Sequence, residues 1–216
     1  MTVDRRFLMT AGLAAAAAPT LALADPPKLL PAKKLFPFLD LYLGIAPAER
    51  SHFTMSYYLR QNGKAATGAG IVLIGANGAR TPLPVGADGR FQRTPTLADL
   101  KAGTVEIAPH GDAKYSLSME LEPIARMAEV MNSADFTTAI AQCSVAIKKH
   151  AGVLGFAAPK ITQVVFAGVA GGTAVLAGGR TAALPLVKTL PAYNPATVAG
   201  VSQLKFAKAP SRAELA

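Results

Sequence analysis

Two stretches of the chain, about a hundred residues apart, carry the same punctuation. Ile71-Val72-Leu73-Ile74-Gly75 and Ala174-Val175-Leu176-Ala177-Gly178 are apolar runs of strand length closed by glycine. Each is followed by an arginine that opens a proline-containing run, Arg80-Thr81-Pro82-Leu83-Pro84-Val85 in one case and Arg180-Thr181-Ala182-Ala183-Leu184-Pro185-Leu186 in the other. A helical pattern and a strand pattern (53–59, 161–166) precede each, and a proline-containing loop and another strand (104–109, 201–210) follow. The period is too long for a solenoid. A chain built from such units buries its apolar surface by forming antiparallel sheets with helices laid over the exposed faces. The expected fold is therefore α+β and β-rich, with antiparallel sheets covered by two or three helices, in two related halves if the recurrence reflects internal duplication. The alternative is that Gly-, Ala- and Pro-rich strands resemble one another by composition. The divisions that follow are a lead-in at 25–34, a helix plus β unit at 35–122, and helices plus a second β unit at 123–216, either separate or merged into one domain.

Proline and lysine make 25–34 irregular by expectation. Leu35, Phe38, Leu39, Tyr42 and Leu43 recur at helical spacing, so a helix is predicted over 35–43, with Pro37 in its first turn and Gly44 ending it. Strands are predicted at 53–59, 69–74, 80–85, 104–108 and 115–121, with turns at Asn62-Gly63, Asn77-Gly78 and Asp88-Gly89. Prolines make 80–85 an edge strand. Ile124, Met127, Ala128 and Met131 fall on one helical face. Asp135 caps a further helix to His150, with Phe136, Ile140, Cys143 or Ser144, and Ile147 on its apolar stripe, ended by Gly152 and Gly155. Strands resume at 161–167, 173–177, 181–187 and 201–207.

The first two dozen residues follow another logic. Arg5 and Arg6 precede an uncharged run, 7–23, and then Ala22-Leu23-Ala24 ahead of Asp25-Pro26-Pro27. This is the order of a secretory signal, with cleavage after Ala24. No cysteine at the site suggests a lipid anchor. Asp4-Arg5-Arg6-Phe7-Leu8-Met9 resembles the twin-arginine (Tat) motif, with Asp4 in place of a hydroxyl residue and Met9 in place of leucine. The resemblance implies periplasmic localisation of a protein exported already folded; the general secretory route is the alternative. The apolar run, interrupted by Pro19, is shorter than the roughly 20 residues a spanning helix needs. No later stretch is long and apolar enough to span, so the mature form is expected to have no transmembrane segment.

Tat cargo often carries a cofactor, but no attachment pattern is present and none is expected here. The chain is 51% hydrophobic and 16% charged, with a net charge of +9. Its one cysteine, Cys143, precludes an intrachain disulfide, so stability must come from burial. Basic residues occur singly or in pairs, as at Lys33-Lys34 and Lys148-Lys149, and tryptophan is absent. That pattern argues against nucleic acid as a partner. An unknown envelope component, or an anionic polymer or lipid surface, fits better, beside the plain reading of a solvated basic surface.

Catalytic chemistry is sparse. His52, His110 and His150 have no ligand spacing, and His110-Gly111-Asp112 reads as a polar turn. Cys143 lies on an apolar stripe, where a thiol is buried and inert. Glu120 and Glu122 alternate onto one strand face; they have the residue types of an acid and base pair, but are expected to line a solvated face. The glycines at 168–172 and 178–179 lack the lysine and following helix of a phosphate loop. No catalytic, cofactor or metal residue is assigned. One positive indication is that Arg80 and Arg180 open matching strands, with Lys101 and Lys188 in the loops beyond, and so are candidates for an anionic-ligand site; charges that blunt an exposed strand edge are the alternative. Residues 66–109, with Val85-Gly86-Ala87-Asp88-Gly89-Arg90-Phe91, resemble transthyretin-like or carboxypeptidase-regulatory β-sandwich modules. The rest of the mature chain resembles only uncharacterised exported bacterial proteins. The expected function is a non-catalytic binding or structural module of the cell envelope. The alternatives are a periplasmic enzyme, such as a hydrolase, with a site assembled only in three dimensions, and a periplasmic lipid or small-ligand carrier. Strand addition at 81–85 is a further mode of binding, limited by its prolines.

Overall fold

The computed structural model describes residues 26–108, 113–150 and 160–216. The lead-in, expected to be irregular, holds a strand, β1 (Lys28–Pro31), because a partner far along the chain, Thr104–Ile107, offers it an open edge with Leu30 opposite Val105. The single helix expected over 35–43 is two, α1 (Ala32–Leu35) and α2 (Leu39–Gly44). Pro37 has no N–H to continue the ladder, and Phe38 takes a φ of 64°, in the left-handed region, which breaks the rod. After a 3-10 turn, Pro47–Arg50, β2 (Phe53–Gln61) turns through Asn62 and Gly63, both at positive φ, into the short β3 (Lys64–Ala65).

Next come β4 (Ile71–Ile74), β5 (Arg80–Pro82), α3 (Leu97–Ala102), β6 (Thr104–Ile107) and β7 (Tyr115–Pro123). Helix α3 was not apparent in the apolar periodicity. It is nucleated by a capping box, in which the Thr96 hydroxyl accepts from the Asp99 N–H and the Asp99 carboxylate accepts from the Thr96 N–H.

Residues 124–129, whose spacing predicts a helix, are not helical, and β8 (Val130–Asn132) follows them. Met131, the last member of the apparent stripe, is buried opposite Leu204; the open edge of a later strand outcompetes a helical pattern barely two turns long. Helix α4 (Ser133–His150) begins two residues before the expected Asp135 cap, with Asn132 Oδ1 accepting the Ala134 N–H. Phe136, Ile140 and Cys143 face the core as the stripe predicts. The chain continues through β9 (Val164–Ala167), β10 (Thr173–Leu176), β11 (Thr181–Ala183), β12 (Leu186–Val187), β13 (Leu190–Tyr193), β14 (Val201–Lys205) and β15 (Arg212–Leu215). Arg5, Arg6, Ala24, the 110–112 turn and the glycines at 152 and 155 lie outside the described residues.

Among the described residues, fifteen strands form four antiparallel sheets, so the fold is α+β and β-rich. Two sheets have the orders β1-β6-β4-β5 and β8-β14-β10-β11, which is the same order in the first and second parts of the chain. In each, the outer strand (β1, β8) runs directly into a helix, and β5, with its Pro82, is an edge as its proline requires. Details match as well. Gly75 N–H donates to Ala79 C=O as Leu176 N–H does to Arg180 C=O, and Leu83 N–H to Ile71 C=O as Leu184 N–H to Gly172 C=O.

The remaining sheets, β3-β2-β7 and β12-β13-β9-β15, also correspond, since residues 85 and 89–91 line up beside β2 much as β12 and β13 do beside β9. At the centre of each half an aromatic pair meets edge to face: Phe36 on Tyr57 at 5.1 Å and Phe136 on Phe166 at 5.3 Å. Such pairs add to the burial that holds helix to sheet. One contiguous buried cluster draws on both halves.

Candidate functional site

The matched registers allow a position-by-position comparison of the two halves. Gln92 N–H donates to Pro84 C=O, and Ala192 N–H donates to Pro185 C=O, so Gln92 corresponds to Ala192. Ala192 faces Val165, and Tyr58 faces Arg90 two residues before the Gln92 level. It follows that Ser56, Tyr57 and Tyr58 stand where the second half has Val165, Phe166 and Ala167. Likewise Arg90 and Arg93 stand where it has Leu190 and Tyr193.

The halves then diverge. Beside β9 the pairing runs on through Ala192 and Tyr193. Beside β2 it stops at the bond from Phe91 N–H to Tyr57 C=O. Residues 92–94 swing away because the chain is drawn into capped α3, whose Leu100 is buried. The separation opens a cleft of about 470 Å³ between the Thr54–Tyr57 stretch of β2 and residues 90–94. Thr54, Ser56, Arg90, Gln92, Arg93 and Thr94 supply its polar lining.

Behind Arg90 lies a buried polar cluster on the face shared by β2 and β7. The Ser56 hydroxyl donates to Glu122 Oε2 at 2.6 Å and accepts from an Arg90 terminal nitrogen at 2.7 Å. That nitrogen also lies 3.0 Å from Glu122 Oε2, and the Tyr58 hydroxyl donates to Glu122 Oε1. Burial, then the bond to Glu122, raises the Tyr58 phenol well above its ordinary range. Glu120 is paired with Arg212 of β15 at 3.2 Å, and that guanidinium stacks over Tyr58 at 4.8 Å from the ring centre. Glu120 Oε2 is enclosed with no partner among the described residues, and burial raises the carboxyl above the usual range, against the pull of Arg212.

The expectation that Glu120 and Glu122 line a solvated face is corrected: they are 8% and 6% exposed. Strand alternation put them on one face, but β15 and Arg212, far along the chain, cover it. Sequence reading passed over Arg90, Arg93, Tyr58 and Arg212. The Asp88-Gly89 turn was the available signal for Arg90, since it returns the chain alongside β2.

Arg80 and Arg180 are not brought to equivalent places. Arg80 sits on β5 and makes a two-pronged bond to Glu106, at 2.6 and 3.2 Å. Arg180 occupies the position of Ala79, in the turn before β11 at the edge of another sheet. The spacing of about a hundred residues hid a register difference of one. His52 is exposed and uses its backbone N–H on Gln142, while His150 meets Glu49 at 3.4 Å. Cys143 is fully buried, and burial pushes its thiol up to about 12.

Among the described residues, no three His, Cys, Asp or Glu side chains are grouped to hold a metal ion, and no helix is long and apolar enough to cross a membrane. No protein family profile, no curated protein and no solved structure matches the chain.

Proposed function

We propose that the protein is an exported binding module of the cell envelope that holds its ligand in the cleft beside β2 without performing chemistry on it. The supporting observation is the contrast between matched positions. Where one half has Val165, Ala167, Leu190 and Ala192, the other has Ser56, Tyr58, Arg90 and Gln92. The shared topology does not require polar side chains at these places, and burying Ser56 and Tyr58 carries a desolvation cost, so a second role accounts for them. A doubled helix-plus-sheet unit accounts for the common strand order, with the site elaborated in the first copy. Export read from Arg5 and Arg6, with cleavage after Ala24, puts the module in the periplasm.

A catalytic reading draws on the raised carboxyl of Glu120 beside Glu122. Neither carboxylate lines the cleft, however, and Glu122 is already engaged by three side chains.

Fractionation of cells expressing the full chain tests the reading. A processed form lacking residues 1–24 is expected in the periplasm, and Arg5→Lys with Arg6→Lys should leave the precursor in the cytoplasm. Native mass measurement of the processed form should show a ligand that leaves intact on denaturation. A processed form that stays in the cytoplasm, or a covalently altered ligand, overturns it.

A further inference from the structure

The cleft is defined by donors and by the absence of carboxylates among its lining residues. Arg90, Arg93 and Gln92 bring N–H groups, and Thr54 and Thr94 bring hydroxyls. One terminal nitrogen of Arg90 is engaged by Ser56 and Glu122. A guanidinium has five N–H donors, so this contact ties down one end of the group and leaves donors for the cleft, where the side chain is 42% exposed.

Arg93 comes from the wall that swings away. It is exposed and makes no ion pair or hydrogen bond among the described residues. Its counterpart Tyr193 is buried, with its hydroxyl on Thr137 at 3.2 Å, so the outward course of Arg93 belongs to the first half alone.

One negative charge, Glu122, thus sits behind Arg90, and Thr54 on β2 faces the donors of residues 90–94 across the cleft. A planar carboxylate is satisfied by a single guanidinium fork. Donors from two walls suit a tetrahedral oxyanion.

We infer that the cleft binds a phosphate group, with Arg90 as the fixed anchor and Arg93 as the closing arm. This inference rests on the binding-module reading and names the chemistry of its ligand. Two sources carry that chemistry, a soluble phosphomonoester and the headgroup of an anionic phospholipid.

Titration calorimetry of the purified protein with inorganic phosphate and with glycerol 3-phosphate, at matched ionic strength, addresses the first source. Co-sedimentation with phosphatidylglycerol vesicles, against phosphatidylcholine alone, addresses the second. Saturable binding is expected in at least one arm. Arg93→Tyr, which installs the second-half residue at an exposed position, should weaken it about tenfold or more, roughly the effect of one lost charge-assisted bond, and leave the urea midpoint unchanged. Arg93→Lys should recover part of the loss. Arg180→Tyr, an equal loss of charge elsewhere, should leave binding as it was.

Binding to the soluble phosphates alone assigns a phosphomonoester, and binding to the anionic vesicles assigns a headgroup; either supports the inference. No saturable binding in any arm overturns it, as does an equal loss in the Arg93 and Arg180 variants. A native ligand without phosphate that Arg93→Tyr releases would overturn this inference and leave the binding-module reading standing. Cytoplasmic retention of the processed protein would overturn that reading and leave phosphate binding intact.

Discussion

The two halves of this protein solve the same packing problem with different chemistry. Both lay a helix over a sheet through an edge-to-face aromatic pair, and both order their four-stranded sheets alike. In the second half the face of β9 carries Val165 and Ala167; in the first, the matching face of β2 carries Ser56 and Tyr58 over two buried glutamates. One half is thus an internal control for the other. Features they share are what the topology needs, and features that differ were free to serve something else.

The largest effect expected from testing this contrast comes from Glu122. Glu122→Leu leaves the Arg90, Ser56 and Tyr58 donors without their acceptor and should cost about 2–6 kcal/mol, as for two buried hydroxyls each left unpaired at about 1–3 kcal/mol. Adding Ser56→Val, Tyr58→Phe and Arg90→Leu, which makes the first half resemble the second, should recover most of that loss in urea unfolding. If the multiple variant is as unstable as the single one, the polar cluster is required by the fold and the internal control fails.

A smaller effect is expected at Gly172, which corresponds to Ile71. Phe206 fills the space in the second half: a Cβ at 172 would lie 2.6 Å from its ring and 2.8 Å from Leu184. Gly172→Ala should therefore destabilise by about 1–3 kcal/mol through overpacking. Adding Phe206→Leu should relieve it, which thermal unfolding of the pair of variants checks.

The smallest effect concerns pH. Burial holds the Glu120 carboxyl above its ordinary 4.5. The folded state therefore keeps this proton more firmly than the unfolded chain does, so Glu120 contributes most below about pH 4.5 and loses that contribution as pH rises through its folded value. Asp40 and Glu49, held low chiefly by hydrogen bonds from Lys33 and Lys149, act in the opposite sense at more acid pH. Stability of Glu120→Gln relative to the parent should improve from pH 4.5 towards 7. A difference that is flat with pH would mean that Arg212 fully compensates the buried charge.

Much of this contrast could be read in the sequence as local pattern but not as surroundings. The turns at Asn62-Gly63 and Asp88-Gly89, the edge placement of Arg80–Pro82, and the buried stripe Phe136, Ile140 and Cys143 all follow from residue type and spacing. Five strands had no legible pattern: Lys64–Ala65, Leu190–Tyr193, and Lys28–Pro31, Val130–Asn132 and Arg212–Leu215, the last three because each is short and forms against a partner distant in the chain. Helix α3 left a legible trace in Thr96-Leu97-Ala98-Asp99, a capping box too short to show periodicity. The site was the least legible part. Alternation put Glu120 and Glu122 on one face, but neither the Arg212 that covers it nor the splaying of residues 92–94 has a local signature.

Strand β1 has a kinetic meaning beyond its place in the sheet. Lys28–Pro31 is made early but finds its hydrogen bonds only on Thr104–Ile107. A contact of such long sequence separation closes slowly, since the intervening chain must first be drawn together. The start of the described chain therefore stays undocked until β6 exists. Its docking on β6 therefore marks the completion of the first sheet.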